Sequence, residues 1–306
     1  MNPAARMTER SFGDRWALPA LLAGAVGIGF SPIFVRLSEL GPTATAFHRA
    51  FLAIPALALW CALENRAHRA AAQAGPRIPS ARGAAAPLVL AGLFFAGDLA
   101  AWHWSIKLTS VANATLLANF APIAVTLGAW LLFQQRPTAA FVAGLALALA
   151  GAAILMGESV ALSADHLFGD GLGLITACFY ASYILAVGRL RARLSTATIM
   201  TWSGIVTALA LLPVVWISGE SLMPQTGRGF AVLLGLALFS HAGGQSLIAY
   251  GLAHLPAAFG SVVLLLQPAV AAVLAWALLG EPLSVLQGAG GLVVLAGIAL
   301  ARRGDR

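Results

Sequence analysis

The 306 residues are 60% hydrophobic and only 9% charged, whereas a soluble domain keeps roughly a quarter of its residues charged. With a mean hydropathy of +0.87, this composition excludes an ordinary soluble enzyme and leaves lipid as the solvent of the outer surface. The net charge of +7 does not indicate a nucleic-acid partner, because the basic residues fall in short runs between apolar segments, where membrane topology accounts for them.

A hydrocarbon core of about 30 Å needs around 20 apolar residues per helix. Read on that scale, the chain holds ten segments: Trp16–Leu37, Thr43–Leu63, Ala85–Ile106, Ser110–Phe133, Thr138–Gly157, Gly171–Gly188, Thr196–Ile217, Gly229–Leu252, Ala257–Leu279 and Ser284–Ala301. The first is too long for a signal-peptide core and lacks a cleavage site, so it is expected to stay as a helix. Most connections are short. The exceptions are Glu64–Ala84, alanine-rich but kept out of lipid by Pro76, Pro79 and its arginines, and Glu158–Asp170. Cys61 and Cys178 both lie in apolar runs and are expected to be small buried residues, not a disulfide.

Charge sets the expected orientation. With the N-terminus inside, the inner segments hold Arg6, Arg10, Arg15, Arg66, Arg69, Arg77, Arg82, Arg136, Arg189, Arg191, Arg193, Arg302, Arg303 and Arg306, and the outer segments hold Arg36, Lys107 and Arg228. Fourteen against three is a strong positive-inside bias. It predicts an even number of helices with both termini cytoplasmic.

The chain also repeats itself. ATLLANFAPIAVTLGAWLLFQQRPTAAFVAGLALALAGAAIL aligns without gaps to GSVVLLLQPAVAAVLAWALLGEPLSVLQGAGGLVVLAGIAL at an offset of 146 residues (268 − 122). The alignment pairs Pro122 with Pro268, Trp130 with Trp276, Gly144 with Gly290 and Gly151 with Gly297. VRL at the end of the first helix likewise matches VGRL at the end of the sixth. The expected organisation is therefore an all-α membrane protein of two five-helix repeats, residues 1–157 and 158–306. An odd number of helices per repeat inverts one half against the other, an arrangement of transporters that rock about a midplane site.

Helices four and five, and again nine and ten, resemble the EamA repeat of the drug/metabolite transporter superfamily. The residues that carry the likeness are TLLANFAP…WLLFQQRPT…GLALALAG and VVLLLQP…WALLGEPLS…GLVVLAG, with LTSVANATLL before helix four and FHRAF in helix two. One departure is Gln135, at the turn where the second copy has Glu281. Overall the chain looks closest to the YddG-type bacterial exporters of aromatic and other apolar amino acids. The resemblance implies a basket-shaped bundle with a central cavity lined mainly by helices one, three, four, six, eight and nine. It implies a small metabolite as substrate, the bacterial inner membrane as location and no cofactor.

Candidate residues follow from depth and helical spacing. Pro122 and Pro268 each remove one backbone hydrogen bond and push against the carbonyls of Ala118 and Leu264, which predicts a kink or hinge facing a cavity. Thr115, Asn119, Pro122 and Thr126 share one face of helix four, a polar stripe fit for the bundle interior or for helix packing. Asp98 and Trp102 share a face of helix three. An aspartate at that depth must be paired, protonated or hydrated, so it could hold a substrate ammonium, carry a proton, or pair with Arg49 or His103. His103 and Trp104 lie near the outer end, where an aromatic belt is an alternative. Tyr180 and Tyr183, His241 and Gln245, and Gln267 complete a cavity expected to have aromatic walls and neutral hydrogen-bonding groups. Arg49 is read as a helix anchor.

No HExxH, GxSxG, CxxC or phosphate-loop signature is present, and the histidines show no metal-ligand spacing. The expected activity is export of apolar or aromatic amino acids by alternating access, by a monomer, with protons as a candidate coupling ion. Alternatives are a drug or other-metabolite exporter, an intramembrane lipid-handling enzyme and a channel.

Overall fold

The structure, a computed structural model, describes residues 3–72, 83–109, 111–157, 166–280 and 282–304. Among the described residues ten helices are long and apolar enough to cross a membrane: α1 Arg15–Leu37, α2 Pro42–Ala67, α3 Ala85–Leu108, α4 Asn113–Phe133, α5 Ala139–Gly157, α6 Leu167–Leu190, α7 Thr196–Ser218, α8 Gly227–Gly251, α9 Ala257–Leu279 and α10 Val285–Gly304. The described residues contain no strand. All ten expected segments appear, mostly with ends shifted by a few residues. Beyond α2 the helix runs on to Ala72, so the alanine-rich stretch after Glu64 begins as helix. Most of the two long connections, 73–82 and 158–165, lies outside the described residues.

Outward-facing side chains are those that lipid tolerates. Trp130 and Trp276, paired by the repeat, are both exposed, as are Leu131, Leu132, Trp216 and Ile217. Cys61 is buried, but Cys178 is exposed on α6. The expectation for Cys178 is corrected here: an apolar run on a membrane helix has a lipid face as well as a core face.

Five helices are interrupted. The helical stretches break at Phe30 in α1, at Leu52–Ala53 in α2, at Asn119–Phe120 in α4 and at Leu264–Leu265 in α9. A proline follows each break within a few residues: Pro32, Pro55, Pro122 and Pro268. The missing N–H and the ring's clash with the carbonyl four residues back explain these sites. In α8 the interruption has another form, a wide π-helical segment over Leu236–Gln245, of the kind that collects at functional sites.

Close helix contacts are made at glycines. Along α5 and α10, a Cβ on Gly144 would lie 2.3 Å from the Ala301 nitrogen, and one on Gly297 would lie 2.4 Å from the Ala148 nitrogen. Gly151 faces Val294 and Gly290, while Gly290 faces Leu155 and Gly151. Where α1 crosses α8, Gly24 and Gly27 meet Gly244, and the Ser240 hydroxyl donates to the Gly27 carbonyl at 2.8 Å.

At the end where α1 stops and α8 starts, two carboxylates cross-tie the loops. Glu39 accepts from the Gln225 N–H at 2.8 Å, from the Thr226 N–H at 3.1 Å and from the Thr226 hydroxyl. Glu220 accepts from the Ala44 N–H at 2.8 Å and pairs with Lys107. Thus each of these loops supplies an acid to the N-terminus of a helix in the other hairpin, where the helix dipole favours negative charge.

Two outcomes test this packing. Gly297→Val overpacks the α5–α10 seam at a cost of about 1–3 kcal/mol, so the melting temperature in detergent should fall by several degrees; Gly288→Ala, with nothing within 4 Å of its Cβ, should leave it unchanged. The Thr226 hydroxyl and neighbouring N–H groups hold the Glu39 carboxyl below its ordinary 4.5. Burial raises Glu220, but Lys107 and the Ala44 N–H outweigh it and the net direction is again down. A depressed carboxylate stabilises fully above its ordinary range, and that stability is lost as pH falls through it. Glu220→Gln should therefore lower the melting temperature at neutral pH, and the difference from wild type should shrink below about pH 4.

Candidate functional site

The interruptions of α1, α4 and α9 meet at one cavity of about 150 Å³, the size of void that admits a benzene ring. Ile28, Gly29, Ser31 and Pro32 reach it from α1, Arg49 from α2, Phe95, Asp98, Leu99 and Trp102 from α3, and Thr115, Ala118 and Asn119 from α4. Thr176 and Tyr180 come from α6, Gln245 from α8, and Gln267, Pro268 and Ala271 from α9. Lining therefore comes from the six expected helices and from α2.

Local chemistry explains why polar groups collect here. The Asn119 amide donates to the Thr115 carbonyl at 2.9 Å, and the Gln267 N–H reaches the Leu264 carbonyl at 3.0 Å in a tight turn. Each contact satisfies a backbone oxygen near a break, as hydrocarbon surroundings require. Pro122 sits just beyond the cavity, where a narrow extension is bounded by Asn119, Tyr180, Ser261 and Gln267. Thr126 turns back on its own helix, donating to the Pro122 carbonyl at 2.7 Å.

One wall is an aromatic stack. The Phe95 ring lies 4.7 Å from that of Tyr183 and 5.5 Å from the His241 imidazole, both near parallel. Tyr180 continues the stack, 6.3 Å from Tyr183. The Arg49 guanidinium lies 6.0 Å above the Phe95 ring, at the limit of cation–π attraction.

The opposite charges are the main electrostatic feature. Arg49 and Asp98 line the same cavity and attract one another through the low-dielectric interior. Among the described residues no ion pair within 4.0 Å joins them. Arg49 Nε is a buried donor with no protein partner, while the Gln245 and Gln267 amides lie beside the Tyr183 and Tyr180 hydroxyls. The site thus offers several donors and one carboxylate beside an apolar, aromatic surface.

Asp98, Trp102, Thr115, Asn119, Tyr180, Gln245, Gln267 and Pro268 are brought together. Two expected residues are placed differently. Tyr183 is 2% exposed and His241 is 1% exposed, and neither lines the cavity. Both rings pack behind Phe95, and the Tyr183 hydroxyl reaches the Met200 sulfur at 3.7 Å. Sharing a helix face with Tyr180 or Gln245 did not give them the same neighbours, and in α8 the π segment changes the spacing by which faces are counted. Arg49, expected as an anchor, contributes to the lining, so the cavity carries more charge than the sequence pattern indicated. His103, expected near an aromatic belt, is buried with its Nδ1 on the Leu99 carbonyl. Helix one was expected to line the cavity, but its lining residues were missed. Gly29, Ser31 and Pro32 form a third proline-marked break, and Pro32 was its available signal.

A sequence model of the EamA-like transporter family matches residues 15–157 and again residues 167–303. The chain belongs to the EamA-like transporter family.

Each match covers one set of five helices, α1–α5 and α6–α10. Among curated relatives, the "Probable terminal-alkyne amino-acid exporter" of Streptantibioticus cattleyicolor is 30% identical over 94% of this chain and 93% of its own. An uncharacterized transporter of Archaeoglobus fulgidus is 24% identical over 88% of this chain and 91% of its own. The pseudopaline exporter CntI of Pseudomonas aeruginosa is 28% identical over 70% of this chain and 74% of its own. A crystal structure with 19% identity superposes over 97% of this chain and 99% of its own at a TM-score of 0.74, which shows the fold alone. As in its relatives, this chain's architecture is that of a multi-pass membrane transporter.

Placement of His241 behind the wall has a direct consequence. Neither of its ring nitrogens has a protein partner, so an apolar ring of similar shape is tolerated there. His241→Phe should preserve fold and keep transport within about twofold, a shift below 0.5 kcal/mol. Loss of transport in a well-folded variant would put the imidazole in contact with cargo.

Proposed function

We propose that this chain exports small zwitterionic amphipathic metabolites, foremost apolar or aromatic amino acids, by alternating access. The observation that carries this reading is the cavity shared by Arg49 and Asp98 without an ion pair between them. An α-amino acid presents a carboxylate and an ammonium to such a site. Asp98 accepts from the ammonium, while Arg49 and the amides of Gln245 and Gln267 donate to the carboxylate. Phe95, Trp102 and Tyr180 provide the surface for an apolar or aromatic side chain. Export as the direction is supported by the names of the two exporter relatives.

In the same reading the halves 1–157 and 158–306 are inverted copies that rock about the cavity. Support comes from the two successive family matches, the repeat offset and the crosswise glycines of α5 and α10. In this reading both termini are cytoplasmic, which the charge bias supports, and the membrane is the bacterial inner one. Pro122 and Pro268 act as the paired hinges, and the monomer is the working unit.

The test is flux into proteoliposomes for leucine, phenylalanine and their analogues lacking either the amine or the carboxylate, with and without a pH gradient. Removing one partner of a buried charge pair costs at least about 2 kcal/mol, or roughly 30-fold in affinity. Asp98→Asn should therefore raise KM for the amino acid about 30-fold and leave that for the deaminated acid nearly unchanged; Arg49→Gln should do the converse with the decarboxylated amine. If protons are coupled through Asp98, the Asn variant also loses its response to the gradient. No saturable flux for any amino acid would overturn the cargo assignment, and equal competition by cations, neutral compounds and zwitterions would make the protein a broad drug exporter.

A further inference from the structure

A second, larger cavity of about 730 Å³ opens at the end of the bundle where α3 begins and α6 ends. It is a slot rather than a chamber. Ala84, Leu90 and Phe94 form one wall, and Leu185 lies at the other. Leu90 is 49% exposed. Its polar side chains, Gln135, Arg189 and Arg193, lie at the ends of α4 and α6, and no Asp or Glu is among the described residues that line it. Arg189 is held over the Phe133 ring at 3.9 Å, and neither arginine makes an ion pair among the described residues.

Depth identifies an occupant. From Ala84 to Phe94 is ten helical residues, about 15 Å at 1.5 Å per residue. That is half of a hydrocarbon core of about 30 Å, the reach of one leaflet. A zwitterionic cargo that entered this far would leave its charges without partners among Leu90, Phe94 and Leu185, at a cost of several kcal/mol. An acyl chain incurs no such cost, and its anionic headgroup would meet two free guanidiniums at the basic end of the bundle, where a phosphate makes charge-assisted hydrogen bonds.

We propose that this slot is a binding site for an anionic phospholipid, with the acyl chain along α3 and the headgroup phosphate on Arg189 and Arg193. Basic pockets between membrane helices recognise acidic headgroups in this way. The site is separate from the central cavity and does not depend on which cargo the protein carries.

Native mass spectrometry of the full chain in detergent, with equal amounts of phosphatidylglycerol and phosphatidylcholine of the same acyl composition, tests it. Wild type should retain phosphatidylglycerol about tenfold or more over phosphatidylcholine, the scale set by two basic groups beside one acidic headgroup. Arg189→Ala with Arg193→Ala should bring that preference close to parity, while Arg189→Lys with Arg193→Lys should keep most of it. Leu90→Trp, which fills the slot from its α3 wall, should lower retention of both lipids without changing the melting temperature measured without added lipid. Should the alanine pair fail to fold, the wild-type preference must still decline as salt is raised. Equal retention of the two lipids, an unchanged preference in a folded alanine pair, or a preference insensitive to salt would overturn the proposal. So would inorganic phosphate stabilising the protein as well as the lipid does, or leucine displacing the lipid, since these results make the slot an anion site or a cargo entrance.

Discussion

In hydrocarbon, a backbone oxygen or N–H without a partner costs several kcal/mol, and this constraint organises the molecule. Four helices break near a proline and a fifth opens into a π segment. Such irregular backbone is tolerated only where protein or a water-filled space receives it. In α1, α4 and α9 the breaks converge on the cavity, and that of α2 follows Arg49 by less than a turn. Pro213 is the instructive contrast, since α7 runs through it without interruption and lends the cavity no lining residue. A proline alone does not make a site. A proline beside small and polar residues does, because Asn119 and Gln267 supply partners next to the broken ladder while turning their remaining polar atoms inward.

The charges obey the same logic. An isolated ion in a membrane interior is costly, and the cost is offset when an opposite charge shares its low-dielectric surroundings. Arg49 and Asp98 meet that condition through the cavity without a direct ion pair. Full pairing would make the site self-sufficient, whereas separated partners leave part of their interaction energy for a ligand with both signs. The aromatic wall matters for the same reason. Phe95 is braced by Tyr183 and His241, so the ring beneath Arg49 is held in place by stacking.

Much of the architecture was legible because membrane helices obey a one-dimensional rule. Length and hydropathy alone marked all ten spans, and the proline and glycine pairs of the repeat marked where two helices break and where two others pack. What escaped was which side chain faces which neighbour. Tyr180 and Tyr183 share a face by spacing, yet only Tyr180 lines the cavity. The π segment in α8 contains no proline to announce it, so His241 was assigned by ordinary helical geometry. Arg49 was read from its cost in lipid, which indicates that it needs a partner without saying whether that partner is structural or a ligand. Pro32 lies outside the aligned repeat segments, so no matching proline marks it.

The glycines of α5 and α10 limit where motion can occur. Gly144 meets Ala301 while Gly290, its repeat equivalent, meets Leu155; Gly151 and Gly290 approach each other directly. Such crosswise contact is what an approximate two-fold relation between two halves produces, since equivalent residues then exchange roles across the seam. There is no room for a Cβ at these positions, so sliding would drive backbone into backbone. The seam is therefore the stiff element of the bundle. Helices α1, α4 and α9 carry breaks beside the cavity, where a few backbone angles can change without severing an intact ladder. The proposed rocking of the halves would then turn about a fixed α5–α10 seam, with bending at Phe30, Asn119–Phe120 and Leu264–Leu265, where this sequence places proline rather than a glycine seam.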